Sequence, residues 1–165
     1  MKSLVRSLSV VLVLGLALLL AACGGRESST EGSGGGRTGT AGDGVTIDLA
    51  SDGEMLAFDK TTLTVEAGQV VTLNFQNTSI AQQHNWVLVD GGEDVSRPIA
   101  EAGILAGLQG EYLPADRSKI IAHTGVLNGR ESGSVTFTAP SPGTYLYICT
   151  VPGHYPIMQG TLIVQ

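Results

Sequence analysis

Apolar and polar residues alternate in short runs from Val45 to the C-terminus. The runs are Val45/Ile47/Leu49, Leu63/Val65, Val71/Leu73/Phe75, Trp86/Leu88, Val135/Phe137 and Leu162/Val164. A period of two sends one set of side chains inward and the other outward, which predicts half-buried antiparallel strands. Turn-forming residues punctuate the runs: Gly68, Asn77-Thr78, Gly91-Gly92, Gly129, Gly133 and Pro140-Ser141-Pro142-Gly143. Many short strands joined this way predict an all-β sandwich or barrel. Residues 97–128 break the alternation. There Ile99, Ala102, Leu105, Ala106 and Leu108 fall at helix-like intervals, predicting one short helix over 98–108 inside a long connection.

The N-terminus has a different pattern. Lys2 and Arg6 precede an apolar run from Val10 to Leu20, broken by Gly15 and closed by Leu20-Ala21-Ala22-Cys23. This is the layout of a secretory signal, and the run is short for a spanning helix. Its last four residues resemble a bacterial lipobox, so residues 1–22 are expected to be a lipoprotein signal peptide and Cys23 the lipidated N-terminus. Cleavage without a lipid and an uncleaved anchor are the alternatives. All three export the domain, and a lipid would place it on the outer face of the cytoplasmic membrane. Residues 24–44 hold nine glycines with Ser, Thr and a few charges, too little apolar surface to order a segment. With Cys23 they read as a flexible tether over 23–44, reaching about 25 Å, or as a leader without a task. The globular part is 45–165, 121 residues, enough for one core.

Charge narrows the partners. Nine Lys+Arg against fifteen Asp+Glu give −6, and losing Lys2 and Arg6 makes the mature chain −8. Nucleic-acid binding needs a basic footprint, so that partner class is excluded. Two cysteines allow at most one disulfide. A Cys23–Cys149 bond competes poorly with lipidation of Cys23 and with the setting of Cys149.

That setting is Cys149-Thr150-Val151-Pro152-Gly153-His154-Tyr155-Pro156-Ile157-Met158. A strand, 144–149, leads in and another, 160–164, leads out, so thiol, imidazole and thioether share one loop at one end of the sandwich. Such soft to borderline donors suit copper better than calcium or magnesium. A trigonal His₂Cys site with a weak axial Met needs a second histidine, and His84, opening His84-Asn85-Trp86-Val87-Leu88, supplies it. Taken singly, a buried Cys or Met is ordinary core. Joined as C-x₄-H-x₃-M with an upstream His on an exported all-β domain, they read as a copper site: His84, Cys149, His154 and Met158. Zinc is the alternative metal, although Met is a poor zinc ligand.

The domain resembles the cupredoxins, in particular the azurin–auracyanin branch of blue copper proteins. The resemblance rests on 84–88, Ile121-Ala122-His123-Thr124, Ser134-Val135-Thr136-Phe137, 149–154 and Met158-Gln159-Gly160-Thr161-Leu162. It implies a Greek-key sandwich or barrel, one type 1 copper per chain, and single-electron transfer without a small-molecule substrate. It also implies redox protein partners: a quinol-oxidising complex as donor and a reaction-centre c-type cytochrome as acceptor, in photosynthesis. A respiratory chain would use the same chemistry. His84, Cys149 and His154 match the family's equatorial ligands and Met158 the axial one. Gln83 stands where azurins have a glycine whose carbonyl approaches the metal, which puts a fifth contact in doubt. Azurins also carry a disulfide for which this domain has no cysteines.

Asn85 and Thr150 adjoin ligands and are expected to tie the two ligand segments together. Val151, Pro152, Tyr155 and Pro156 surround His154 and are expected to form an apolar docking patch, with the imidazole edge as electron port. His123 reads as a surface or loop histidine, Trp86, Tyr145 and Tyr147 as packing, and Met55 as structural. Multicopper oxidases and copper nitrite reductases are the enzymatic rivals, but they need more histidines than the three present. Copper delivery, which favours exposed exchangeable clusters, and a purely structural sandwich are the others.

Overall fold

A computed structural model describes residues 44–165. The signal peptide expected over 1–22, the lipidation expected at Cys23 and the expected tether, save its last residue, fall outside the described residues. No helix among the described residues is long and apolar enough to cross a membrane.

Among the described residues, eight strands form two sheets. The smaller has the order β1 (Val45–Ala50), β3 (Val70–Gln76), β6 (Ser132–Thr138). The larger has the order β2 (Thr62–Val65), β8 (Gln159–Val164), β7 (Gly143–Ile148), β4 (Val87–Val89), β5 (Ile120–His123). β1 pairs with β3 and β2 with β8 in parallel; the remaining pairs are antiparallel. Strands that neighbour in space but not in sequence are what a Greek-key sandwich requires.

The alternation does its work at the interface between the sheets. Leu49, Leu63, Val65, Val71, Leu73, Phe75, Trp86, Leu88, Phe137, Tyr147, Leu162 and Val164 are all buried in one cluster. Rings of Phe58 and Tyr147 meet edge-on with centroids 5.2 Å apart, a favoured aromatic geometry. Among the described residues there is no disulfide; Cys149 is free and buried within this core. Tyr145 and Tyr147 pack as expected, each donating its hydroxyl to a backbone carbonyl, of Ser141 at 2.8 Å and Lys60 at 2.6 Å.

The helix, α1, runs Glu93–Ala106, followed by a 3-10 turn at Leu108–Gly110. It therefore begins five residues before the expected 98. Glu93 and Asp94 lie in its first turn, where acidic groups meet the positive end of the helix dipole. Pro98 sits inside the helix and is exposed; it lacks the N–H that would bond the carbonyl four residues earlier. α1 and the turn after it cover the outer face of the larger sheet: Ile99 and Ala100 of the helix, with Leu113 beyond it, pack on Val87, Val89 and Ile148. β4 is consequently buried on both faces, which alternation alone did not indicate.

Candidate metal centre

Register brings the ligand segments together. Along the β7–β8 ladder Tyr147 faces Gly160 and Ile148 faces Gln159. One step further the Cys149 amide donates to the Met158 carbonyl at 3.1 Å. Cys149 and Met158 thus oppose each other at the mouth of a hairpin, and His154 rides on the loop between them. That loop is closed by its own turns. The His154 amide donates to the Val151 carbonyl at 3.0 Å, and the Met158 amide to the His154 carbonyl at 2.8 Å. Gly153 has φ 85°, a left-handed conformation that glycine adopts without steric cost.

β4 lies on the other side of β7, with Val87 facing Ile148. Continuing that antiparallel register sets Trp86 by Cys149 and Asn85 by Thr150. His84 is held by a reciprocal backbone pair with Leu127, at 3.0 and 2.8 Å. The histidine is thereby fixed by backbone before its side chain makes any contact.

Among the described residues, His84, Cys149 and His154 bring three donor atoms within 4.8 Å of one another, all three residues buried. Cys149 Sγ lies 3.8 Å from His84 Nδ1 and 3.5 Å from His154 Nδ1. A first-row metal bonded at about 2.0 Å to nitrogen and about 2.3 Å to sulfur needs nitrogen–sulfur separations of about 3.7 Å in a trigonal plane, close to those seen. Met158 is fully buried beside them. His84 is fully buried as well, and its Nε2 reaches no hydrogen-bond partner. In both imidazoles it is Nδ1 that faces the thiol sulfur, so these two nitrogens and the sulfur are the atoms placed to share one ion. The donor set and its spacing therefore fit copper.

The protonation states agree. Burial, with His154 alongside, lowers the His84 imidazole to about 4. Burial also lowers His154. Both rings are neutral at pH 7, the form that ligates. Burial pushes the Cys149 thiol up to about 11, so metal uptake must expel its proton.

The flanking residues take separate roles. The Asn85 amide nitrogen donates to Thr150 Oγ1 at 2.8 Å, and the Thr150 N–H donates to Asn85 Oδ1 at 2.8 Å. Gln83 turns its side chain to Asn128, at 2.7 Å. His123 is half-buried on β5, bonded to Thr124 and Arg117, and is absent from the donor cluster. Trp86 is core.

The expected docking patch needs one correction. Pro152 and Pro156 are exposed and Tyr155 half-buried, but Val151 is buried in the core. It packs behind the loop instead of facing outward. Two surface features were missed. Ile157 is 65% exposed on the same loop. Leu105, on the helical stripe, is 90% exposed, with Ile104 and Leu108 exposed beside it in sequence. His154 keeps 8% of its surface accessible, while His84 and Cys149 keep none. Sequence reasoning also missed Tyr155 as a tie: its hydroxyl meets Ser96 Oγ of α1 at 3.0 Å.

The chain is similar to known proteins. Residues 45–165 match the family model described as copper binding proteins, plastocyanin/azurin family. The chain is 56% identical to Auracyanin-A of Chloroflexus aurantiacus over the whole of both chains. A solved structure titled as Auracyanin A, a "blue" copper protein from that green thermophilic photosynthetic bacterium, aligns with TM-score 0.73 and 62% identity. It covers 74% of this chain and all of the other. An azurin, Az-iso2, from the methylotroph Methylomonas sp. strain J aligns with TM-score 0.66 and 26% identity, covering 73% and 97%.

Proposed function

The chain belongs to the plastocyanin/azurin family of copper binding proteins, and from that premise we propose that it is a lipid-tethered carrier of single electrons. It is a blue copper cupredoxin; His84, Cys149, His154 and Met158 are the residues assigned to hold the ion. The observation that carries the reading is the convergence of two imidazole nitrogens on one buried thiol sulfur. Copper bound there supplies a one-electron couple. The protein supplies ligands fixed by backbone, so that little has to move when charge changes. Asn85 and Thr150 lock the two ligand segments to each other. The core around Cys149 excludes water from the thiol.

His154 is the electron port in this proposal, since it alone of the three keeps an accessible edge. Pro152, Pro156 and Ile157 surround it on the loop and give a small apolar contact of the sort transient redox encounters use. Cys23 carries the lipid and residues 24–44 the reach, which keeps the carrier at the outer face of the cytoplasmic membrane. The similarity to Auracyanin-A extends through this leader, since it spans both chains entirely. The donor is a quinol-oxidising membrane complex and the acceptor a reaction-centre c-type cytochrome, in keeping with the photosynthetic source of the similar Auracyanin A.

The test is stopped-flow oxidation of the reduced protein by a c-type cytochrome, alongside fractionation of wild-type and Cys23→Ala chains expressed in bacteria. Rapid bimolecular transfer, and release of Cys23→Ala from membranes, are expected. Failure to reduce any c-type cytochrome would contradict the carrier role. Wild-type protein free of membranes would contradict the tether.

A further inference from the structure

We propose that Gly103 of α1 and the backbone carbonyl of Glu111 form a positioning brace for Asn85, and through it for the ligand loop at Thr150; the inference rests on the ligand assignment above. Asn85 is fully buried. Its amide nitrogen donates to Thr150 Oγ1 at 2.8 Å and also to the Glu111 carbonyl at 3.2 Å. Those two bonds, with the one its oxygen accepts from the Thr150 amide, leave the side chain no free rotation. Without Glu111 the amide has only Thr150 to orient it, and the two would swing together.

The chain goes to unusual lengths to place that carbonyl. Glu111 and Tyr112 are consecutive and both have positive φ, 58° and 53°. Residues other than glycine adopt this region seldom and at a cost. Such outliers persist only where the surroundings over-determine them. Here the surroundings are a knot of turns. The Glu111 amide donates to Leu108, the Tyr112 amide to Gly107 and the Leu113 amide to Gly110, at 2.9, 2.9 and 3.0 Å. Gly107 itself has φ 65° and ψ −173°, a combination open essentially to glycine alone.

The helix presses on the knot at one point. Gly103 is buried in α1, and a β-carbon there would run into the Tyr112 carbonyl. Glycine is a poor helix residue, so its place inside α1 answers to this close approach. Tyr112 and Leu113 then anchor the knot in the two apolar clusters. Three conformational costs thus converge on a connection remote in sequence from every ligand, and their joint product is one carbonyl aimed at Asn85.

The experiment compares Gly103→Ala with Leu105→Ala, a change at a 90% exposed position of the same helix. In metal-free protein, hydrogen exchange at the Thr150 amide should be at least tenfold faster in Gly103→Ala, relative to the β3 amide of Leu73. In copper-loaded protein its thiolate-to-copper band should shift. Leu105→Ala should match wild type in both. Gly107→Ala, which meets no atom but strains φ, should move both readouts in the same direction by less. It keeps the test open if Gly103→Ala does not fold. Lower melting temperatures with unchanged Thr150 exchange and an unchanged band would overturn the brace and leave only helix packing. Faster Thr150 exchange in a protein whose wild type shows no such band would uphold the brace and overturn the ligand assignment.

Discussion

Asn85 and Thr150 exchange a reciprocal pair of hydrogen bonds, each 2.8 Å long, across the gap where the β4–β7 ladder ends. A side chain completes the ladder where backbone pairing stops. It does so directly beside Cys149 and His84, so the joint that closes the sheet also sets the distance between two ligands.

Breaking that joint should be expensive. Asn85→Ala strands the buried Thr150 amide and hydroxyl, and is expected to destabilise the metal-free protein by about 2–4 kcal/mol; Thr150→Val keeps the amide bond and should lose about 1–2 kcal/mol. Urea denaturation followed by circular dichroism measures both. Equal losses for the two variants would contradict a reciprocal pair.

Gly160 faces Tyr147 on the neighbouring strand, and a β-carbon there would overlap the tyrosine ring. Gly160→Ala is expected to cost about 1–3 kcal/mol through overpacking. Tyr147→Phe in the same background keeps the ring, so stability should not return. Thermal unfolding of the double variant decides this, and recovery there would place the clash at the hydroxyl.

Stability of the metal-free protein should depend on pH through His84. Its folded pKa, about 4, lies below the ordinary 6.5, so the unfolded chain binds more protons between these values. Stability is therefore complete above about 6.5 and falls as pH drops towards 4, by about 3 kcal/mol over that window. Glu54, Asp116 and Glu131, whose pKa values are lowered mainly by hydrogen bonds, act in the same direction at lower pH. Urea midpoints of wild type and His84→Gln across pH 4–7 test the assignment; equal slopes would refute it.

Docking at the ligand loop predicts a separation of rate from colour. Ile157→Asp or Pro156→Glu should slow transfer to a cytochrome at least tenfold while leaving the absorption spectrum unchanged. Val151→Asp should instead unsettle the fold, because Val151 is core. Unaltered rates for the first two variants would move the port elsewhere.

The ligand loop was legible because its information is local. Cys149, His154 and Met158 lie within one hairpin, and spacing alone sets them at one end. His84 was legible because copper needs a second imidazole and few histidines exist. Strands were legible wherever one face meets water, as in β3 and β8. β4 was less so, since α1 buries its outer face and erases the alternation. The helix start was obscured by Pro98, which is at ease in a first turn but stands here in the second. Leu105 keeps a helical interval yet faces solvent, because Ser96, Ile99, Ala100 and Gly103 take the buried side. The positive φ values of Glu111 and Tyr112 had no signal, since neither residue type advertises that conformation.

The central claim meets its most direct test in the visible spectrum of metal-free protein titrated with Cu(II). One equivalent should produce an intense blue thiolate-to-copper band that a mild reductant bleaches reversibly, that Cys149→Ser abolishes, and that His123→Ala leaves intact. A colourless complex, or a blue one that survives Cys149→Ser, would contradict the account.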